Sequence, residues 1–159
     1  MLDIPSISAI VAAAGVLVGV ALTVLQIRQQ TKIRQMDLVM RLFSTFASDE
    51  FQEEYIKFLD LKINDYDEFV KTYGLRGMFK VFSFFESVGI LLNRKIISID
   101  LVQQLFRQSI PIIWEKGKPI QIGMRRKYNQ PSWGQWFEYL YNEIKKREQQ
   151  LQQEGGKSG

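Results

Sequence analysis

The sequence contains no cysteine and no histidine. The first absence excludes disulfides and thiolate nucleophiles, and the two together exclude zinc sites built from Cys and His. Without histidine there is no imidazole general base and no Ser-His-Asp or Cys-His arrangement. The sequence also has no glycine-rich phosphate loop, no dinucleotide fingerprint and no internal repeat. We therefore expect a protein that is not an enzyme and that uses neither a metal nor a cofactor.

Strand patterns are missing as well, apart from short ambiguous runs such as "KIISI" at residues 95–99. Apolar residues recur at helical spacing instead, and 159 residues with 46% apolar content suit one folded domain. The fold class predicted is all-α, with one N-terminal transmembrane helix that continues into a cytoplasmic bundle of about five further helices. The predicted parts are an N-terminal segment with the transmembrane helix (1–27), a juxtamembrane helix extension (28–47), the cytoplasmic domain (48–153) and a disordered tail (154–159).

The predicted membrane span is the uncharged stretch Ile4–Ile27, which has 24 residues. As a helix it is about 36 Å long, enough to cross a hydrocarbon layer of about 30 Å with some tilt. A cleaved signal peptide is the alternative, but no Lys or Arg precedes the apolar run and no small-residue cleavage site follows it. Only Asp3 and the amino terminus precede the span, whereas the residues closely after it are basic: Arg28, Lys32, Arg34 and Arg41. The positive-inside rule then predicts a cell-membrane protein with its N-terminus outside and its C-terminal domain in the cytoplasm.

Two further patterns lie along this N-terminal helix. Gly15 and Gly19 form a GxxxG pair, which Ser8 and Ala12 extend into a stripe of small residues. Such a stripe lets two membrane helices approach closely, so a second copy of the chain is one candidate partner. Beyond the span, helical spacing predicts continuation to about Ala47, with an apolar stripe packed against the domain: Ile33, Met36, Met40, Phe43 and Ala47.

Within the domain, the helix boundaries are predicted from capping residues. The predicted N-caps, one for each of four helices, are Ser48, Asp65, Ser98 and Ser132. Asp65 with Glu68, and Ser132 with Gln135, have the three-residue spacing of a capping box. A helix is expected to end at Gly74, and Pro111 to open a short helix that Gly117 and Pro119 interrupt.

A single carboxylate stands in the most apolar stretch of the domain. Residues 75–93 are apolar almost all round, which predicts a helix buried on most sides, and Glu86 lies near its middle. Because an unpaired buried carboxylate is costly, we expect a structural ion pair between Glu86 and Arg125 or Arg126. Partner binding and catalysis are the alternatives that the sequence leaves open for Glu86.

The charges are strongly segregated along the chain. Residues 42–70 hold two basic and eight acidic residues, whereas residues 71–127 hold eleven basic and three acidic ones. The two segments could pair within one chain or between two. A candidate site for anionic lipid or phosphate lies in the basic segment, at Lys116, Lys118, Arg125, Arg126 and Lys127. Aromatic residues nearby would also suit single-stranded nucleic acid, although a solvated basic loop needs no ligand at all.

Several stretches of the sequence are similar to a known family. They are "FFESVGILLNRKIIS", "DLVQQLF", "WEKGKPI" and "RRKYNQPSWGQWFEYL", and they follow the uncharged N-terminal span. Together they resemble the small prokaryotic membrane proteins of the family of unknown function numbered 4760, over most of residues 5–145. The resemblance implies a single-span protein with a helical cytoplasmic domain. It implies no activity, cofactor or catalytic residue.

These observations favour a membrane-anchored, non-catalytic helical module that binds or scaffolds other molecules. The expected partners are membrane lipid and a cytoplasmic protein. An alternative is a self-assembling membrane effector or pore, in which the spans pack through Gly15 and Gly19. A further alternative is a membrane-tethered nucleic-acid binder that uses the basic block 116–127, and nucleic acid is the least favoured partner.

Overall fold

A computed structural model describes the backbone of residues 4–63 and 65–155, with side chains from residue 12 onward. The described residues form seven helices and no strand, which confirms the all-α prediction. The helices are α1 (Ile4–Phe46), α2 (Asp49–Asp60), α3 (Tyr66–Tyr73), α4 (Arg76–Asn93), α5 (Ile99–Phe106), α6 (Ser109–Lys127) and α7 (Gln135–Gly155). Helix α7 extends two residues into the predicted disordered tail, and residues 156–159 lie outside the described residues.

The chain divides into two compact units, Met1–Met40 and Arg41–Gly159. Most of the first unit belongs to α1, whose segment Ala12–Phe46 is long and apolar enough to cross a membrane. The most apolar window of that segment contains no buried residue. Leu17, for example, is 71% exposed. By length and composition α1 is thus a candidate membrane span near the N-terminus, a property that signal sequences share.

In the second unit, α4 is the central helix, as its composition predicts. It packs against α7 and α2, and eight of its eighteen residues are buried. The Phe85 ring is fully buried and stacks on the Phe137 ring of α7, with centroids 5.0 Å apart and 18° between the planes. From the end of α1, Phe46 contributes a ring 5.1 Å from that of Phe106, whereas the predicted packing residue Phe43 is 40% exposed. At the end of α1 the residue that packs against the domain is therefore Phe46, one position before Ala47 of the predicted stripe.

Three of the four predicted N-caps are present. The side chains of Ser48, Asp65 and Ser98 each accept a hydrogen bond from the backbone N–H three residues later. At the other end of α3, Gly74 has a φ of +70°, a left-handed conformation that favours glycine and ends the helix as expected. Local capping chemistry therefore determines where α2, α3 and α5 begin.

The prediction for α6 was wrong, because this helix continues through Gly117 and Pro119 for 19 residues. A proline within a helix costs about 3 kcal/mol, since it removes one hydrogen bond and crowds the preceding turn. Burial of apolar side chains before and after the proline offsets that cost, as with Ile113 and Ile120, which are fully buried. Gly117 also has a packing role, because a Cβ there would overlap the ring of Phe82.

The acidic and basic segments meet within one chain. Helix α3 from the acidic segment packs against α6 from the basic segment. Lys80 forms an ion pair with Glu50 of α2, and the Lys127 ammonium lies 5.7 Å from the centroid of the Tyr66 ring. Pairing between two chains is therefore not needed to bring the two segments together.

Candidate functional site

The carboxylate of Glu86 binds the first turn of α7. Its Oε2 accepts a hydrogen bond of 2.7 Å from the backbone N–H of Phe137, and its Oε1 accepts one of 3.3 Å from that of Trp136. Helix α7 begins at Gln135, so these are two of the amides that lack a partner within the helix. A negative charge at a helix N-terminus also interacts favourably with the helix dipole. Glu86 thus caps α7 from the neighbouring helix α4.

This arrangement corrects two predictions. The first concerned Ser132, which lies in the turn before α7 and does not start the helix. The residue that shapes this turn is Gly134, whose φ of +66° is a left-handed conformation open to glycine. The second concerned the charge pair, because Glu86 binds backbone amides and not the guanidinium of Arg125 or Arg126.

Arg125 forms a different ion pair. Its Nη2 lies 2.6 Å from Oε2 of Glu138, and its Nε donates a 2.8 Å hydrogen bond to the carbonyl of Trp133. Arg125 therefore holds the turn before α7 and the first turn of α7 to the end of α6. Arg126 is exposed and lines another cavity.

A close helix contact accompanies the cap. Gly89 is buried on α4, one turn after Glu86, and a Cβ at this position would overlap the backbone carbonyl of Trp136. Only glycine therefore allows α4 and α7 to approach this closely without a shift of one backbone. Glu86 and Gly89 together fix the position of α7 along α4.

Burial raises the pKa of the Glu86 carboxyl above its usual range. The hydrogen bonds from Phe137 and Trp136, and the positive charge of Arg125, oppose this shift without cancelling it. Burial disfavours the charged form because water no longer solvates it. The Glu86 carboxylate would therefore be stabilised by taking up a proton or by a further hydrogen-bond donor nearby.

A second polar group lines the same cavity as Glu86, and one of its atoms has no partner among the described residues. Gln121 on α6 is only 3% exposed, and its Oε1 is buried without a hydrogen bond in the described part of the chain. Leaving a buried acceptor unpaired costs about 1–3 kcal/mol, so native proteins seldom do it. A Cβ at Gly134 would overlap this amide, which gives that glycine a second role. The sequence signal for Gln121 is its position as a polar residue on the otherwise apolar buried face of α6, close to Ile120 and Met124.

Glu86 and Gln121 line one cavity of about 300 Å³, together with Gly134 and aromatic residues. The aromatic residues are Phe79 and Phe82 of α4 and Trp133 of the turn. The rings of Phe79 and Trp133 have centroids 6.2 Å apart. Among the described residues that line this cavity, Glu86 is the single ionisable group. The lining also includes the polar side chains of Ser83, Gln130 and Ser132. The cavity thus combines several polar groups with aromatic walls, which is the usual composition of a small-ligand site.

The predicted basic site is divided in the structure. The Lys116 ammonium donates to the backbone carbonyl of Leu59, and Arg125 pairs with Glu138. The remaining three basic residues, Lys118, Arg126 and Lys127, line a cavity of about 930 Å³ that also contains the carboxylates of Asp65, Asp67, Glu68 and Glu115. An anion entering this cavity would meet more carboxylates than cations. The five basic residues therefore do not form one anion-binding surface.

The small-residue stripe on α1 faces open space. A Cβ built at Gly15 or Gly19 has no atom within 4 Å. The side chain of Ser8, which the prediction also included, lies outside the described side chains. The stripe is therefore available for contact along the part of α1 that is described.

The described helices define the class of the protein, which is all-α with one long apolar N-terminal helix and a helical domain. The chain belongs to the family described as a domain of unknown function, DUF4760, whose model matches residues 9–144. The match runs from within α1 to near the middle of α7 and includes Glu86, Gln121 and Gly134. No curated protein and no solved structure matches the chain significantly.

Proposed function

We propose that the chain is a single-pass membrane protein whose cytoplasmic all-α domain is a non-catalytic binding or scaffolding module. The observation that carries this proposal is the exposed apolar surface of α1. Large apolar side chains such as Leu17 and Val20 are more than half exposed along a segment without buried residues in its most apolar window. In water this surface would be unfavourable by about 25 cal/mol per Å², whereas a bilayer solvates it.

Extraction from native membranes tests the anchor. The full chain should stay in the membrane fraction at alkaline pH, and a double substitution of Leu17→Arg and Val20→Arg should release it. Each charge near the centre of a span costs about 2.5–3.5 kcal/mol on the insertion scale. The matched control is Ile112→Arg, which places the same charge at a position of α6 that is 49% exposed. Release of the unsubstituted chain would refute anchoring by α1.

The orientation rests on the basic residues that follow the apolar stretch. Because the chain has no cysteine, one introduced thiol reports on one position alone. Gln104→Cys places it at an exposed position of α5. A membrane-impermeant maleimide should label this thiol in lysed cells and not in intact ones. Labelling in intact cells would reverse the proposed orientation.

The non-catalytic part of the proposal is supported by the contacts of Glu86. Both carboxylate oxygens bind backbone amides of α7, so the group already has a structural task. The sequence supplies no histidine or cysteine to act beside it. A turnover that Glu86→Gln abolishes while the fold is kept would overturn this part.

Self-assembly through α1 is the second candidate function, favoured by the open surface at Gly15 and Gly19. It is compatible with anchoring, since the same helix would span the bilayer and contact a second copy. Nucleic-acid binding ranks behind both, because carboxylates stand among the basic residues that would contact phosphates.

A further inference from the structure

The cavity next to Glu86 is lined by a buried amide that lacks one hydrogen bond. The amide of Gln121 is buried, its Oε1 has no hydrogen bond among the described residues, and its residue lines the cavity. Because Gly134 has no Cβ, the Gln121 amide can pack directly against its backbone. The φ of Gly134 is positive, a conformation that other residues rarely adopt. A donor that reaches this oxygen from the cavity, with a small shift of the Gln121 amide, would satisfy it.

The chemistry of the lining specifies that donor. Glu86 contributes a carboxylate that accepts two backbone hydrogen bonds, and a carboxylate has about four acceptor positions, so lone pairs remain for a ligand. Gln121 contributes a further acceptor through Oε1. An anionic ligand would meet a carboxylate with no lysine or arginine among the described lining residues. A cation with several N–H donors matches both groups.

The walls favour an organic cation over a bare metal ion. Phe79, Phe82 and Trp133 supply apolar surface and aromatic rings, and such rings attract ammonium and guanidinium groups. The other oxygens of the lining, from Ser83, Gln130 and Ser132, belong to neutral side chains, so Glu86 is its single carboxylate. Among the described residues there is no group of three or more acidic side chains that could hold a metal ion. The volume of about 300 Å³ lies at the low end for ligand pockets, so the ligand is small.

We propose that this cavity binds a small organic amine in its protonated form, whose N–H groups donate to Gln121 Oε1 and to the Glu86 carboxylate while its stem contacts Phe79 and Trp133. This inference deepens the proposed binding function and rests on it. The amine is recognised by three features together, namely positive charge, N–H donors and an apolar stem.

Three probes of the same size and shape test these features. Benzylammonium carries all of them, benzyl alcohol lacks the charge, and benzoate reverses it. The full chain in lipid nanodiscs, with 5-fluorotryptophan in place of tryptophan, is titrated with each probe at constant ionic strength. The ¹⁹F signal of Trp133, assigned by loss of that signal in Trp133→Phe, reports on the cavity. We expect saturable shifts with benzylammonium, affinity at least tenfold weaker for benzyl alcohol, and no binding of benzoate.

Two variants link the binding to the buried amide. Gln121→Met keeps the length of the side chain and removes its polar atoms, so it should weaken benzylammonium binding about tenfold. It should also unfold at the same or a higher temperature, because no unpaired acceptor is then buried. The matched control is Gln104→Met, which is exposed on α5 and should leave affinity unchanged.

Equal binding of benzyl alcohol would overturn the proposal, since the cavity would then be only an apolar cleft. No saturable shift with any probe would also overturn it and would assign the partner of Gln121 to water. Unchanged affinity in Gln121→Met would exclude the amide from recognition. In each of these cases the membrane extraction and thiol labelling still decide the anchor separately, so a failure of ligand binding is distinguishable from a failure of the proposed function.

Discussion

Removing the carboxylate of Glu86 should destabilise the domain through the first turn of α7. In Glu86→Ala the buried N–H of Phe137 loses a 2.7 Å hydrogen bond, and an unsatisfied buried donor costs about 1–3 kcal/mol. The 3.3 Å bond from Trp136 is weaker and its residue is half-buried, so water replaces part of it. Loss of the charge removes a favourable interaction with the helix N-terminus of about 0.3–1 kcal/mol. It also relieves the desolvation that raises the pKa of Glu86, which offsets this loss. We therefore expect a total loss of about 1–3 kcal/mol, which comes mainly from the unsatisfied N–H of Phe137.

The measurement is urea unfolding of the full chain in mild detergent, followed by tryptophan fluorescence. Glu86→Gln should lose only about 1 kcal/mol, because its amide oxygen keeps one acceptor for Phe137. Ser87→Ala is the matched control, since Ser87 is exposed on the same helix and donates only to the carbonyl of Ser83. Amide hydrogen exchange at Trp136 and Phe137 should accelerate in Glu86→Ala. If Glu86→Ala unfolds at the same urea concentration as Ser87→Ala, the capping argument is refuted.

Three further predictions follow from the same contacts. Because burial raises the pKa of Glu86, the folded chain binds a proton at this carboxyl more tightly than the unfolded chain does. The free energy of unfolding of the native protein, relative to that of Glu86→Gln, should therefore rise as pH falls from above the raised pKa towards the ordinary value of 4.5. Urea midpoints across that range measure the difference, and a difference independent of pH would contradict the burial argument. Gly89→Ala should lower the free energy of unfolding by about 1–3 kcal/mol in the same assay, because its Cβ would overlap a backbone carbonyl of α7. The control is Gly155→Ala, whose Cβ meets open space, and equal urea midpoints for the two variants would refute the close contact. If copies of the chain associate through the small-residue stripe, Gly19→Leu should reduce the mass of the assembly in nanodiscs while Val16→Leu leaves it intact, and an unchanged mass in Gly19→Leu would exclude this packing.

Local chemistry explains which parts of the fold are predictable from sequence. The N-caps Ser48, Asp65 and Ser98 act on amides three residues away, so the interaction and its partner lie within one short stretch. The central position of α4 follows from composition, since a helix that is apolar almost all round is stable in a soluble bundle only when neighbours cover it. These features need no knowledge of tertiary structure.

The candidate site depends on residues that are distant in sequence. Glu86 has its hydrogen-bond partners 50 and 51 residues later, and no spacing rule distinguishes a backbone amide from a guanidinium as that partner. The prediction for Ser132 failed because the cap of α7 comes from another helix. The prediction for Pro119 failed because tertiary burial outweighed a local preference. The sequence marks Gln121 only as a polar residue on an apolar helix face, whereas the missing partner of its Oε1 is evident only from the structure.

The contact between α4 and α7 also constrains when the domain can fold. Helix α4 leaves the ribosome well before α7, which is the last helix of the described chain, and until then its buried face has no main neighbour. When Phe85 and Val88 leave the ribosome, the first turn of α7, about fifty residues later in the chain, has not yet emerged, so both side chains are exposed to water. Apolar surface of this kind is prone to aggregation and is bound by chaperones. Truncation within α7 should therefore yield an aggregation-prone or rapidly degraded chain and not a smaller folded domain.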